Sequence, residues 1–177
     1  MSWRRLMLLG LLVTSVPPEA AGQAPTPTRD SLLVAARSLM TGAHYAALIT
    51  LDSAGAPQAR TVEPFAPEAD MTVWIGTNPL TRKVAEIRRD PRVTLYYYDP
   101  AVMGYVTIHG RARLVDDPVL KQKWWNPGWT AFYPDREKGY LLVKVTPERL
   151  EIVSPTHGIT GDAVTWRPPT VRLTPRR

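Results

Sequence analysis

Cysteine is absent from the 177 residues. That excludes disulfides, thiolate metal sites, a cysteine-linked lipid anchor and a cysteine nucleophile. Histidine is scarce, and the three present, His44, His109 and His157, do not have the spacing of a metal site. There is no GxGxxG, no Walker loop and no evident Ser-His-Asp arrangement. Beyond the first two dozen residues no apolar run is long enough to span a bilayer. Arginine and lysine are scattered rather than massed, so the formal charge of +6 does not imply a nucleic-acid partner. No internal repeat and no second domain are evident.

What is present fits one globular domain. Hydrophobic residues make up 44%, enough for a packed core. At the N-terminus, Arg4-Arg5 precede a short apolar run from Leu6 to Val16. Pro17-Pro18 end it, and Ala20-Ala21-Gly22 supply small residues for a peptidase. Residues 1–22 therefore read as a secretory signal peptide cleaved after Gly22, with no integral membrane segment left afterwards. Losing Arg4, Arg5 and Glu19 leaves a charge of +5. The product is expected to be exported, periplasmic or secreted, by either the Sec or the twin-arginine route. Residues 23–28 read as a disordered linker, 29–153 as the folded domain and 154–177 as a C-terminal tail.

Within the domain, Asp30-Ser31 can cap a helix that stops at Gly42. Strands are expected over Tyr45–Leu51, Gln58–Phe65, Met71–Ile75, Val93–Tyr98 and Tyr105–Val115. A last strand, Gly139–Val153, should be broken near Pro147. Gly110 marks a bulge or a close backbone approach. Thr81–Arg89 should be a helix with Leu80, Val84 and Ile87 on one face, and Arg82, Lys83 and Glu86 mostly off it. Asp116-Asp117-Pro118 should open another helix. The order of helix, three strands, helix, two strands, helix and strand suggests a mainly β Greek-key barrel with flanking helices.

The stretch Trp74-Ile75-Gly76-Thr77-Asn78-Pro79-Leu80-Thr81-Arg82-Lys83 places a strand end, a loop and a helix start within ten residues. Helix N-termini carry unpaired N–H donors and partial positive charge. Arginine adds a planar fork and lysine a point charge, both suited to phosphate. On spacing alone, a capped amphipathic helix with solvated basic residues competes with a phosphate cradle.

Thr77-Asn78, Thr81-Arg82-Lys83 and Asp90-Pro91-Arg92-Val93 resemble the signature of pyridoxamine 5′-phosphate oxidases and their split-barrel relatives, closest to the general-stress-protein branch. Gly55-Ala56-Pro57-Gln58-Ala59-Arg60-Thr61-Val62 is similar to that family's hairpin, and Tyr105 to Ala112 to one of its strands. The resemblance runs from about Leu39 to Val153. It implies a six-stranded antiparallel Greek-key split β-barrel that binds FMN. Arg60, Thr81, Arg82 and Lys83 would neutralise the phosphate. Thr61, Val62 and Thr77 would lie by the flavin, and Tyr105 on the neighbouring strand would shape the site. It further implies a homodimer with the cofactor at the interface and a small-molecule substrate. Alternatives are a non-catalytic flavin carrier or redox buffer, or a barrel that takes haem or a deazaflavin.

The chain departs from this pattern at Glu63-Pro64-Phe65, where pyridoxamine-phosphate oxidases usually carry a lysine, and at Tyr105, where they often carry glutamine. Their C-terminal Arg/His substrate motif is not evident near His157. No catalytic residue is assigned. His109 reads as a satisfied strand histidine and Asp116-Asp117 as a helix cap. Trp124 and Trp125 read as packing residues that can border the flavin site. Across Tyr96-Tyr97-Tyr98 the middle ring should face opposite to its neighbours.

Overall fold

A computed structural model of the chain describes residues 26–173. The segment read as a signal peptide, and the first part of the linker, lie outside the described residues. Among the described residues there are four α-helices and seven strands: α1 (Arg29–Ala43), β1 (Ala46–Leu51), β2 (Pro57–Val62), β3 (Val73–Thr77), α2 (Arg82–Arg89), β4 (Arg92–Asp99), β5 (Gly104–Val115), α3 (Pro118–Lys123), α4 (Arg136–Gly139), β6 (Leu141–Val153) and β7 (Thr170–Arg172). No helix among the described residues is long and apolar enough to cross a membrane.

The strands form one antiparallel sheet in the order β2-β1-β4-β5-β6-β3, with β7 added to β6. The six-stranded path is the expected split barrel. β6 is long enough to serve two partners: Leu141 to Val145 pair with β3, and Arg149 to Glu151 pair with β7. The sheet curls until its two end strands meet. Pro64, just beyond β2, bridges to Ile75 of β3, and the Phe65 N–H donates to the Trp74 carbonyl at 2.9 Å. Proline offers no N–H of its own, so it is a natural place for strand pairing to stop. Past this point β2 and β3 part, and that parting is the split.

Alternation along the strands builds the core. Leu48, Leu95, Val106, Ile108, Leu150 and Ile152 point inward and are fully buried. Leu32, Ala35, Ala36, Leu39 and Met40 of α1 pack into the same cluster. Tyr97 is buried between two exposed tyrosines, as its position in the strand requires. A second cluster joins Trp74, Val115, Tyr140 and Leu142 to Phe65, Trp124, Trp125, Trp129 and Tyr133. Trp124 stacks on Trp74 with centroids 5.5 Å apart, so the tryptophan-rich segment is pinned to the outside of the barrel.

Several local expectations change. Helix α1 is capped by Thr28, whose hydroxyl accepts from the Ser31 N–H, and it ends at His44, with φ of 60°, rather than at Gly42. Leu80 is 92% exposed and does not join the apolar face of α2. β6 is not broken at Pro147. The irregularity there is a bulge, because His109 pairs with Arg149 and Gly110 with Pro147, leaving Glu148 as the extra residue. Residues 154–173 are docked on the barrel: Ser154 bridges Ile159, β7 pairs with β6, and Val171 and Leu173 enter the core.

Gly110 is the position the bulge cannot spare. A Cβ there would collide with the Thr146 carbonyl oxygen and sit 3.0 Å from the Pro147 Cα, both backbone atoms that cannot swing aside. Gly110→Ala is therefore expected to cost about 2 kcal/mol and to lower the urea midpoint. Gly139→Ala, with nothing within 4 Å of the added Cβ, should leave the midpoint unchanged or slightly raised.

Candidate functional site

Where β2 and β3 part, a cavity of about 370 Å³ opens. Thr61, Val62 and Glu63 form one wall; Gly76, Thr77 and Asn78 form the facing wall. Thr81 and Lys83, at the start of α2, lie at one end. Trp129, Phe132 and Tyr133 from the aromatic segment cover the other. The volume falls in the range of small-molecule sites.

The end formed by α2 is cationic, and its geometry comes from one buried carboxylate. Glu86 has a side chain only 3% exposed. Its Oε2 lies 2.7 Å from Arg60 Nη2 and accepts from the Thr50 hydroxyl. Its Oε1 lies 3.0 Å from Arg82 Nε. Arg60 also donates to Thr50 Oγ1 and, at 3.3 Å, to the Leu48 carbonyl. Thus β1, β2 and α2 are tied together beneath the cavity. Burial by itself would raise the Glu86 pKa. The Thr50 and Arg60 hydrogen bonds, with the charges of Arg60 and Arg82, outweigh it and hold the carboxyl below its ordinary value.

Lys83 has no hydrogen-bond or salt-bridge partner among the described residues, although it is half buried and faces the cavity. Burial first, and the like charge of Arg60 second, pull its pKa down, while Glu86 pulls it partly back. Three cations, Arg60, Arg82 and Lys83, thus share one carboxylate, an excess of two positive charges. Thr81 caps α2 by position only. Its hydroxyl donates to the Asn78 carbonyl at 2.8 Å and lies 3.3 Å from Thr77 Oγ1, so no side chain occupies the first N–H groups of the helix. Free donors, two hydroxyls and an unpaired lysine are suited to an anion of two charges, as a phosphate monoester is.

The aromatic end is held differently. A Cβ on Gly76 would lie 2.5 Å from the Trp129 ring and 2.7 Å from Tyr140, so glycine is what lets Trp129 lie against β3. The Trp129 indole N–H donates to Glu63 Oε2 at 2.9 Å. His44 Nε2 lies 3.3 Å from Glu63 Oε1. Tyr133 is half buried, and burial followed by the Glu63 charge raises its pKa.

Of the residues expected from sequence, Thr61, Val62, Thr77, Thr81 and Lys83 line the one cavity. Arg60 and Arg82 stand behind its cationic end through Glu86. Tyr105 does not line it. That residue lies on the outer face of β5, its ring 5.7 Å from Tyr96. His109 is a strand histidine facing the Thr94 hydroxyl at 3.2 Å, and Asp117 caps α3 through the Leu120 N–H, both as expected. The sequence reading missed the burial of Glu86, placed mostly off the apolar face of α2, and the lining roles of Glu63, Gly76 and Trp129. The i, i+4 spacing of Arg82 and Glu86 was an available signal for the first.

Fold and cavity together define a split-barrel protein with a cavity at the split, cationic where α2 begins. The profile of the pyridoxamine 5′-phosphate oxidase family matches residues 33–154, and the chain belongs to that family. A pyridoxine/pyridoxamine 5′-phosphate oxidase of Anaeromyxobacter dehalogenans is 32% identical over 102 residues, which are 58% of this chain and 51% of that protein. The chain thus spans about half the length of that curated relative. Among solved structures, a Clostridium acetobutylicum protein related to general stress protein 26 superposes with a TM-score of 0.68 at 17% identity, over 82% of this chain and 97% of that one. A pyridoxamine 5′-phosphate oxidase-related, FMN-binding protein of Nostoc punctiforme gives 0.59 at 15% identity, over 86% and 99%. A haem-binding protein of Mycobacterium smegmatis gives 0.58 at 16%, over 78% and 56%. At these identities the likeness is one of fold.

Because the folded-state pKa of Glu86 is depressed, its contribution to stability is present above the ordinary glutamate value of 4.5 and is lost as the pH falls through the folded value. Glu86→Gln leaves two arginines without their countercharge and should cost about 3 kcal/mol at pH 7. Denaturant titrations from pH 7 to pH 3 should show a shallower acid-side loss in the variant than in the wild type.

Proposed function

We propose that this chain binds FMN by its phosphate and is an FMN-dependent oxidoreductase acting on a small molecule outside the cytoplasm. The observation that carries the reading is the unpaired, half-buried Lys83 at the mouth of α2, within a group of three cations and one carboxylate. That surplus suits a phosphate monoester dianion. The start of α2 would add N–H groups, and the hydroxyls of Thr77 and Thr81 would add donors by turning from their present acceptors. Thr61 and Val62 would border the ring system. When bound, FMN supplies the redox chemistry, and the protein supplies grip, orientation and shelter from water. Glu86 acts one step removed, by fixing the direction of Arg60 and Arg82.

Family membership and the FMN-binding relative of like fold support this choice. A relative of like fold binds haem, but among the described residues no histidine, cysteine or methionine lines this cavity to serve as an axial ligand. Export is part of the proposal and rests on Arg4-Arg5, the apolar run and the small residues before Gln23. So is a homodimer. Tyr96, Tyr98 and Tyr105 offer an aromatic outer face that a second copy would cover, and Tyr105 would approach the cofactor only from the partner.

Lys83→Ala is expected to weaken FMN binding about 10- to 100-fold, the worth of one charge-assisted contact to phosphate. Arg82→Ala combined with Lys83→Ala should abolish retention of FMN through purification. Fluorescence titration of released and added FMN measures both, and unchanged stoichiometry in the double variant would rule out this phosphate site. Riboflavin, which lacks the phosphate, should bind wild type and Lys83→Ala equally.

A further inference from the structure

The end of the cavity away from Lys83 has the opposite charge. Glu63 is the last residue before the Pro64–Ile75 bridge, so it lies beside the point where the two strands meet, and it lines the cavity. Its two observed partners are the Trp129 indole, a neutral donor, and the ring of His44, which is more than half exposed. A carboxylate accepts about four hydrogen bonds, so acceptor capacity remains. Around it stand Trp129, Phe132 and Tyr133, all bordering the same cavity. Aromatic rings attract cations over their faces, and a carboxylate beside them adds a full countercharge. The phenol of Tyr133, with its pKa raised, stays a neutral hydroxyl in that corner.

We propose that this end is the substrate subsite and that it selects an organic cation, an alkyl- or arylalkylammonium, with Glu63 as the charge-selecting residue and Trp129, Phe132 and Tyr133 as its aromatic walls. Anionic substrates, phosphate and carboxylate compounds among them, are rejected here by like charge. The subsite rests on the FMN reading only in assuming that the cationic end is taken by the cofactor phosphate. Its own recognition elements lie at the far end. Phe132, 73% exposed, leaves this end open to solvent, so a ligand can enter without the barrel opening.

The test compares three probes of one shape and different charge: benzylamine, benzyl alcohol and benzoate at pH 7. Each is titrated into the full chain with and without FMN, read by calorimetry and by tryptophan fluorescence, neither of which requires turnover. The wild type should bind benzylamine at least about tenfold more tightly than benzoate, with benzyl alcohol between. Glu63→Gln keeps the acceptor for Trp129 and should bring the three within about twofold of one another. Trp129→Phe should weaken benzylamine and leave its lead over benzoate. No saturable binding of benzylamine, equal binding of benzylamine and benzoate, or a preference untouched by Glu63→Gln would each overturn the proposal. Competition between FMN and benzylamine would overturn it too, because this end would then belong to the cofactor ring. A chain that refuses FMN yet keeps the Glu63-dependent preference would retire the FMN reading and leave the subsite standing.

Discussion

The buried carboxylate of Glu86 is the constraint on which the site depends. A charge with 3% of its side chain exposed is tolerable only when it is paired and hydrogen-bonded. Here Thr50 comes from β1, Arg60 from β2 and Arg82 from the first turn of α2 itself. Satisfying one carboxylate therefore fixes where α2 sits on the barrel. That in turn sets the direction of its first N–H groups and of Lys83. Glu86 is ion-paired to both arginines, Oε2 with hydrogen bonds and Oε1 by charge proximity alone, so Lys83 gains only a partial pull from it and no contact. The unpaired lysine is thus a by-product of how the helix is anchored, and it is the feature that makes the pocket suited to a dianion.

The cavity exists because the barrel closes only in part. Pro64 and Phe65 meet Trp74 and Ile75, and then the two strands separate. Residues that would face one another in a continued ladder, Thr61 to Glu63 and Gly76 to Asn78, become opposing walls. On this edge they face the cavity instead of a neighbouring strand. Glycine at position 76 adds a second consequence, since a larger residue would expel Trp129 from the wall. A proline and a glycine, residues that weaken ordinary sheets, are what make this sheet into a site.

Much of this was legible in local sequence, and the exceptions share a cause. The Tyr96-Tyr97-Tyr98 alternation and the Asp117 cap follow from backbone geometry over a few residues, and the structure bears them out. Glu86 did not show, because a glutamate in a basic helix reads as solvated unless its burial partners, 26 and 36 residues away, are known. Pro147 read as a break because a bulge opposite Gly110 depends on the register of two distant strands. Residues 154–173 read as a tail because a three-residue strand carries almost no periodicity, yet β6 offers it an unoccupied edge. The motif around Thr77 to Lys83 was visible, whereas the opposite wall, with Glu63 and Trp129 joined across 66 residues, was not.

The two ends of the cavity are built by separate parts of the molecule. The cationic end belongs to the barrel and α2, locked by a buried ionic group that cannot be altered singly without loss of stability. The aromatic end belongs to the segment between α3 and β6, where the Tyr140 hydroxyl donates to the Trp124 carbonyl and Trp129 reaches Glu63. One short helix, α4, one 3₁₀ turn (Pro127–Trp129) and loops make up that segment, and its rings touch the barrel through Trp74 and Phe65. Substitutions in it change wall shape and charge without touching Glu86. A fold divided in this way can hold one phosphate-bearing cofactor while the neighbouring wall is free to set which molecule meets it. In this chain that wall is aromatic and carries a negative charge. That combination is opposite to what a phosphorylated substrate would need, even though the barrel beneath it is of the pyridoxamine-phosphate oxidase kind.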